Sequence, residues 1–189
     1  SATCDVISFS AAISACEKCG QWDRALSLLE KMRPIAPRNT ISFNAAISAC
    51  EKGGQWERAL QLLQEMRTSD VRPNVISFSA AISACEKCRQ WQGALLLLDG
   101  MRDEHVAPNV ITFSAAISAC EKGGNWHGAL LLLDQMHDVA ITPNVISFSA
   151  CISACEKCGE WERALSLLET CTSSMTPTAV TFCAAMSAC

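Results

Sequence analysis

The sequence predicts an all-α protein, a right-handed α-solenoid of stacked antiparallel helix-turn-helix repeats. Three observations carry this. The segment Asn39–Lys52 recurs, nearly unchanged, at Asn74–Lys87, Asn109–Lys122 and Asn144–Lys157, and a looser copy stands at Asp5–Lys18. Self-similarity at a fixed period of tens of residues marks a repeat array, in which each unit packs only on its neighbours. Each copy also carries two apolar stripes at helical spacing, and Gly-Gly or Pro-Asn pairs punctuate the copies at constant places.

In chain order, residues 1–5 read as the tail of a preceding repeat, 6–39 as the first unit and 40–74 as the second. The third is 75–109, the fourth 110–144, the fifth 145–178, and 179–189 is the first helix of a partial sixth. The array is expected to be a fragment of a longer one. The third unit shows the logic. Ser77 is an N-cap candidate after Pro73-Asn74, because Ser, Thr and Asn accept free amides at a helix start. Phe78, Ala81, Ile82 and Cys85 then form one apolar stripe. Cys88-Arg89-Gln90 breaks it where the second and fourth units have Gly53-Gly54 and Gly123-Gly124, a turn by composition. Trp91, Ala94, Leu95, Leu98 and Met101 form a second stripe, and Pro108 closes the unit. Helices this short do not stand alone in water, so the two must pair and stack. In the first unit, Pro34 and Pro37 should stop the second helix near Arg33. In the fifth, Cys171 replaces the usual Met and Thr178 the usual Asn.

Composition narrows the function. Half of the 189 residues are hydrophobic, which suits a folded chain, and the formal net charge is −4. A generally basic nucleic-acid footprint is therefore absent, and any anion site must be local. No apolar run approaches the ~18 residues of a membrane span, so no membrane partner is expected. No signal or transit peptide is visible. The 13 cysteines follow the repeat: Cys16, Cys50, Cys85, Cys120 and Cys155 are equivalent, as are Cys19, Cys88 and Cys158. Buried free cysteine behaves as a small hydrophobe. The Cys-x-x-Cys pairs have the spacing of zinc or redox motifs, but they lie two units apart, so no metal site is expected. The aromatics, from Phe9 to Phe182 and from Trp22 to Trp161, sit on the apolar stripes and read as core.

What repeats outside the packing positions is a surface. The residue after each Phe is Ser10, Asn44, Ser79, Ser114 or Ser149. The residue two before it is Ile7, Ile41, Ile76, Ile111 or Ile146, three positions away and so on the same helix face. Each unit ends in Asn39, Asn74, Asn109, Asn144 or Thr178. One lysine recurs as Lys18, Lys52, Lys87, Lys122 and Lys157. The preceding glutamates, Glu17, Glu51, Glu86, Glu121 and Glu156, are expected to point away.

Asn-Val-Ile-Ser-Phe-Ser-Ala-Ala-Ile, Ala-Cys-Glu-Lys, Trp-x-x-Ala-Leu-x-Leu-Leu-x-x-Met and Pro-Asn, in that order and at this period, resemble the pentatricopeptide repeat in its plain 35-residue form. The resemblance runs over residues 5–189, with Phe where that family often has Tyr. It implies sequence-specific binding of single-stranded RNA, one base per repeat. By resemblance, the base-reading pairs are Ser10 with Asn39, Asn44 with Asn74, Ser79 with Asn109, Ser114 with Asn144, and Ser149 with Thr178. The five isoleucines would sandwich bases and the five lysines would meet phosphates. An Asn amide offers an acceptor and a donor to adenine or cytosine. In the family, Ser at the first position goes with purines and Asn with pyrimidines, which gives 5′-ACAA-3′ for the first four units and no base for the fifth. Five lysine–phosphate contacts would give a log–log salt slope of about −3.5. The resemblance also implies organellar RNA processing, stability or translation, in a chloroplast or mitochondrion.

The alternative is a protein-binding solenoid like the tetratricopeptide repeat, which does not explain an amide at the end of each unit. No catalytic residues and no cofactor are expected. A zinc deaminase signature needs His-x-Glu, whereas His105, His127 and His137 are followed two residues on by Ala107, Ala129 and Val139.

Overall fold

The computed structural model describes residues 2–174 and 176–188, without the side chains of residues 2–5, 174 and 180. Among these residues there are eleven helices and no strand. Ser1 and Cys189, the outer ends of the first and last expected segments, lie outside them. The first unit holds α1 (Ala2–Lys18) and α2 (Trp22–Met32), and the second α3 (Thr40–Lys52) and α4 (Trp56–Thr68). The third holds α5 (Val75–Lys87) and α6 (Trp91–Asp103), the fourth α7 (Val110–Lys122) and α8 (Trp126–Asp138). The fifth holds α9 (Val145–Cys158) and α10 (Trp161–Ser174), and α11 (Ala179–Ser187) follows. The stretch 1–5 is helical from Ala2 and continuous with α1. It lacks the proline that stands before or near the unit's last residue elsewhere, so nothing forces the helix to begin at Val6.

Each first helix from α3 onward starts on a cap built into the sequence. Asn39, Asn74, Asn109 and Asn144 hold extended backbone conformations just outside α3, α5, α7 and α9. Their Oδ1 atoms accept from the amides of Ser42 at 2.9 Å, Ser77 at 3.1 Å, Thr112 at 2.9 Å and Ser147 at 2.9 Å. At three of these starts the hydroxyl of the third helical residue accepts in return from the cap amide, at 3.1 Å in each of Ser42, Ser77 and Thr112. This is a capping box with a hydroxyl in place of the usual Glu or Gln. Thr178 and Thr181 repeat it at α11. The cap of α5 is thus Asn74, not Ser77. Asn74 has the extended backbone that a cap requires, and Ser77 lies one turn inside the helix.

The two helices of a unit meet through the stripes. Phe43, Phe78 and Phe113 are fully buried, with Ile47, Ile82 and Ile117 one turn on and Met66 and Met101 opposite. Cys171, in the Met place of the fifth unit, is also buried. Truncating one such Phe to Ala would cost about 3–5 kcal/mol. The tryptophans are only half-buried except for the exposed Trp161; Trp22 lies over Gly53, and Trp91 over Gly123. First helices pack on first helices along the array, and each second helix packs on the next first helix. Neighbouring second helices stand further apart and reach one another through long side chains such as Arg102, which donates to Gln135 Oε1 at 3.1 Å, and this leaves outer grooves such as the one lined by Leu26, Arg58 and Glu65. The first helices therefore form a continuous inner layer. One core cluster runs from Ile13 to Cys171, and a second, around Ile152 and Ala185, closes the far end.

The first junction, crowded by Pro34 and Pro37, is held by Arg38. Its guanidinium lies 2.5 Å from Glu65 and 3.1 Å from Ser69 Oγ, and 5.0 Å from the centre of the Phe43 ring. As expected, α2 stops at Met32 with Arg33 as its C-cap.

The turns demand left-handed backbone. Gly20, Gly54, Gly124 and Gly159 supply it within four units, and Arg89 stands there in the third at φ 58°. Ala140, after α8, is held at φ 56°. A β-carbon costs about 1–2 kcal/mol in that region. Ala140→Gly and Arg89→Gly are each expected to raise the stability by about 1 kcal/mol, read as a higher midpoint in urea unfolding.

Candidate nucleic-acid interface

The cap geometry decides what the inner layer shows to solvent. Counting from the cap, the isoleucine is the second helical residue, the buried hydroxyl the third, the Phe the fourth and the candidate reading residue the fifth. Helical spacing turns the fourth inward and leaves the second and fifth side by side on the open face. Ile7, Ile41, Ile76, Ile111 and Ile146 are accordingly 57–70% exposed, a row of apolar side chains repeated once per unit. Asn44, Ser79 and Ser149 beside them are half-buried, while Ser10 and Ser114 are buried. Asn39, Asn74, Asn109 and Asn144 are half-buried, and Thr178 is exposed.

These side chains meet across unit boundaries. Between the third and fourth units a groove of about 280 Å³ is lined by Ile76, Ser79 and Ser83 on one side and Asn109 and Ile111 on the other, with Glu51 at its edge. The same groove recurs in the fifth unit, about 360 Å³, with Ile146, Ser149, Ser153, Thr178 and Glu121. Each pairs an apolar wall with a few polar groups, the usual make-up of a ligand slot. In the second to fifth units the structure thus brings the first reading candidate next to the last residue of its own unit. In the second unit the contact is direct: Asn44 Nδ2 donates to Asn74 Oδ1 at 3.2 Å. In the fourth, Ser114 Oγ lies 3.4 Å from Asn144 Oδ1.

Four of the five glutamates, Glu17, Glu51, Glu86 and Glu121, do not point away. Lys52, Lys87 and Lys122 pair with Glu17, Glu51 and Glu86 of the preceding units at 2.9, 2.8 and 2.8 Å, and Lys157 pairs with Glu121. Glutamate and lysine are adjacent in sequence, but stacking places each lysine over the glutamate one unit back. The lysines remain exposed, so each pair is worth at most about 1 kcal/mol and leaves the ammonium able to exchange partners.

Two features of the grooves were not singled out in the sequence as part of the site. One is the set of carboxylates at the groove edges. The other is the buried hydroxyl at Ser42, Ser77, Thr112, Ser147 and Thr181, which touches the reading candidates of the preceding unit. The signal for it was the constancy of Ser or Thr one residue before each Phe.

The buried cysteines keep to packing. Burial pushes the thiols of Cys50, Cys85 and Cys120 up to about 11, and that of Cys151 higher still. They therefore remain protonated at neutral pH, poor nucleophiles and poor metal ligands. No group of three or more His, Cys, Asp or Glu side chains able to hold a metal occurs among the described residues. No helix there is long and apolar enough to cross a membrane.

A helical-repeat solenoid with lined grooves between the first helices of successive units is the class this geometry defines. The pattern of the pentatricopeptide repeat domain matches residues 35–88, 61–125 and 96–158, and that of the PPR repeat matches residues 7–33 and 146–173. The chain belongs to the pentatricopeptide repeat family. None of the curated protein sequences is a match to it. Among solved structures it is similar to the pentatricopeptide repeat protein PPR10 in complex with an 18-nt psaJ RNA element, at a TM-score of 0.79 and 25% identity. That match covers 95% of this chain and 27% of the other. PPR10 from maize matches at 0.71 and 25% identity, over 93% of this chain and 25% of that one. The chain thus spans about a quarter of the length of these relatives. The PPR domain of Arabidopsis thaliana protein-only RNase P 1, in complex with tRNA, shares the fold at 0.79 and 14% identity, over 94% of both chains.

Two outcomes follow from the caps and the thiols. Asn109→Ala should lower the unfolding free energy by about 1 kcal/mol, and Asn109→Asp, which caps equally well, should leave it nearly unchanged. In folded protein at pH 8, iodoacetamide should label the exposed Cys19 and Cys158 and spare Cys50, Cys85, Cys120 and Cys151, as read by peptide mass mapping.

Proposed function

We propose that the chain binds single-stranded RNA along its inner layer, one base per unit, and performs no catalysis itself. The observation that carries this is the row of five exposed isoleucines, each beside a pair of polar side chains and each one unit from the next. A soluble surface has no packing reason to repeat a bare isoleucine, whereas a base needs an apolar wall against its face and polar atoms at its edge. Membership of the pentatricopeptide repeat family, and the likeness to PPR10 crystallised with an RNA element, support the same reading. The proposed core is 5′-ACAA-3′, read by Ser10 with Asn39, Asn44 with Asn74, Ser79 with Asn109, and Ser114 with Asn144. Ser149 with Thr178 would take a fifth base. Lys18, Lys52, Lys87, Lys122 and Lys157 would meet the phosphates. By family resemblance, the setting is transcript processing, stability or translation in a chloroplast or mitochondrion.

The ion pairs change the expected electrostatics. Four of the five lysines must leave a carboxylate to meet a phosphate. The salt slope should be shallower than the about −3.5 of five free lysines. Glu51→Gln with Glu86→Gln should tighten RNA binding and steepen that slope, read by fluorescence anisotropy across a salt series. In the same assay RNA carrying ACAA should bind more tightly than RNA carrying GUGG, and Asn74→Asp with Asn109→Asp should remove the difference. Equal binding to both would retain RNA as ligand and dismiss base reading. Binding to neither, from a helical sample, would favour a peptide-binding solenoid.

A further inference from the structure

We propose that the buried hydroxyl at the third residue of α5, α7, α9 and α11 is a positioning residue for base selection, fixing which hydrogen-bonding atom the reading pair turns toward the RNA. The inference rests on the RNA-reading function proposed above and goes beyond the two reading positions.

Ser42, Ser77, Thr112, Ser147 and Thr181 are fully buried and cannot touch a base themselves. Each lies beneath a junction. Ser77 Oγ is 2.5 Å from Asn44 Oδ1, Ser147 Oγ is 2.9 Å from Ser114 Oγ, Thr181 Oγ1 is 2.8 Å from Ser149 Oγ, and Thr112 Oγ1 is 3.4 Å from Ser79 Oγ. In the first junction Ser42 instead donates to the Asn39 carbonyl at 2.9 Å, and Ser10 Oγ is left buried without a partner.

A hydroxyl has one proton, and where it goes decides the outcome. At the second junction Ser77 Oγ faces two oxygens that cannot donate, Asn44 Oδ1 at 2.5 Å and Asn74 Oδ1 at 3.1 Å, and the shorter contact takes its proton. The Ser77 oxygen in turn accepts from the Asn74 amide at 3.1 Å. Asn44 spends one Nδ2 proton on Asn74 Oδ1. That oxygen also accepts from the amides of Ile76 and Ser77. Both amide oxygens are therefore consumed inside the protein, and the pair shows N–H donors to the groove. Cytosine, with N3 and O2 as adjacent acceptors on its Watson–Crick edge, fits donors alone; uracil sets an N3–H among its acceptors.

At the fourth junction the direction reverses. Ser147 Oγ lies 3.0 Å from Asn144 Oδ1, nearer than Ser114 Oγ at 3.4 Å, and a Ser147 proton placed there leaves Ser114 to donate across their 2.9 Å contact. The oxygen of Ser114, 7% exposed, then keeps lone pairs free as an acceptor beside the Asn144 Nδ2 donors. Thr112 likewise donates to Asn109 Oδ1, at 2.8 Å, and can only accept from Ser79. One acceptor beside one donor matches adenine, with its amino donor and N1 acceptor. The same buried hydroxyl thus sets an Asn pair as donors and a Ser pair as mixed.

The test compares the unmodified chain with Ser77→Ala and Ser77→Thr on four RNAs carrying 5′-ANAA-3′, with N each base in turn, by anisotropy, and monitors helix content by circular dichroism. The unmodified chain should prefer cytosine at N. Ser77→Ala should reduce that preference about fivefold, the worth of one neutral hydrogen bond, with the flanking positions unmoved. Ser77→Thr, which keeps the hydroxyl as Thr112 does naturally, should retain it. A purely structural hydroxyl would weaken binding to all four RNAs alike. The proposal is overturned if Ser77→Ala keeps the cytosine preference, or if Ser77→Thr loses it equally. An unmodified chain that binds all four RNAs equally, or none, overturns the RNA-reading function and the inference with it. If Ser77→Ala does not fold, Ser147→Ala on 5′-ACAN-3′ decides: loss of the adenine preference supports the proposal and its retention overturns it.

Discussion

The hydrogen bond from the third helical amide back to the side-chain oxygen of the preceding unit's last residue is the constraint on which the inner layer depends. It fixes where each first helix begins, as seen at Asn74 and Ser77, 3.1 Å apart. Once that start is fixed, helical geometry fixes the rest: the isoleucine outward, the Phe inward, the next polar residue against the neighbouring unit. It also orients the cap amide itself. An oxygen must face the helix amide, so the NH₂ group faces the groove. A shift of one residue in that start would bury the isoleucine and expose the Phe.

Stability and recognition consequently share atoms. Asn39, Asn74, Asn109 and Asn144 are caps whatever else they do, and an amide at each unit's end would be explained by capping alone. What capping does not explain is the row of bare isoleucines, or the packing of Asn44 and Ser114 against the third helical residue of the next unit's first helix. The lysine–glutamate ladder is a second shared device. It ties each unit to the one before it and holds in reserve the cations that a phosphate backbone would draw out. An array with net charge −4 can in this way hold a local anion track without the long-range attraction of a basic surface.

The fold was legible because repetition removes chance. A single stripe such as Phe78, Ala81, Ile82 and Cys85 could be a helix in many folds, but the same stripe at one period, followed by a turn and a second stripe, leaves little besides a helical hairpin array. The cap was misplaced by three residues because Ser77 and Asn74 both have capping chemistry, and only the backbone conformation distinguishes them. The ion pairs were misread for a different reason. Glu86 and Lys87 are sequence neighbours, but the partner of each lies a whole unit away, in Lys122 and Glu51, and the superposition of units is a property of stacking. The buried hydroxyls were visible as a constant Ser or Thr before each Phe. Their contact with the preceding unit's reading residue is, again, a contact between units. Arg38 was hidden because it occurs once, at the junction that Pro34 and Pro37 distort.

The most direct measurement of the central claim is nuclear magnetic resonance of the ¹⁵N-labelled chain titrated with RNA carrying ACAA. It would follow the side-chain NH₂ signals of Asn74 and Asn109 together with the backbone amides of Ser77 and Thr112. The account predicts that the side-chain signals shift on binding while the two backbone amides keep their positions and their protection from exchange, because the cap oxygen stays in place while the NH₂ group meets the base. Backbone amides that lose protection on binding, or side-chain signals that do not move while RNA binds, would contradict it.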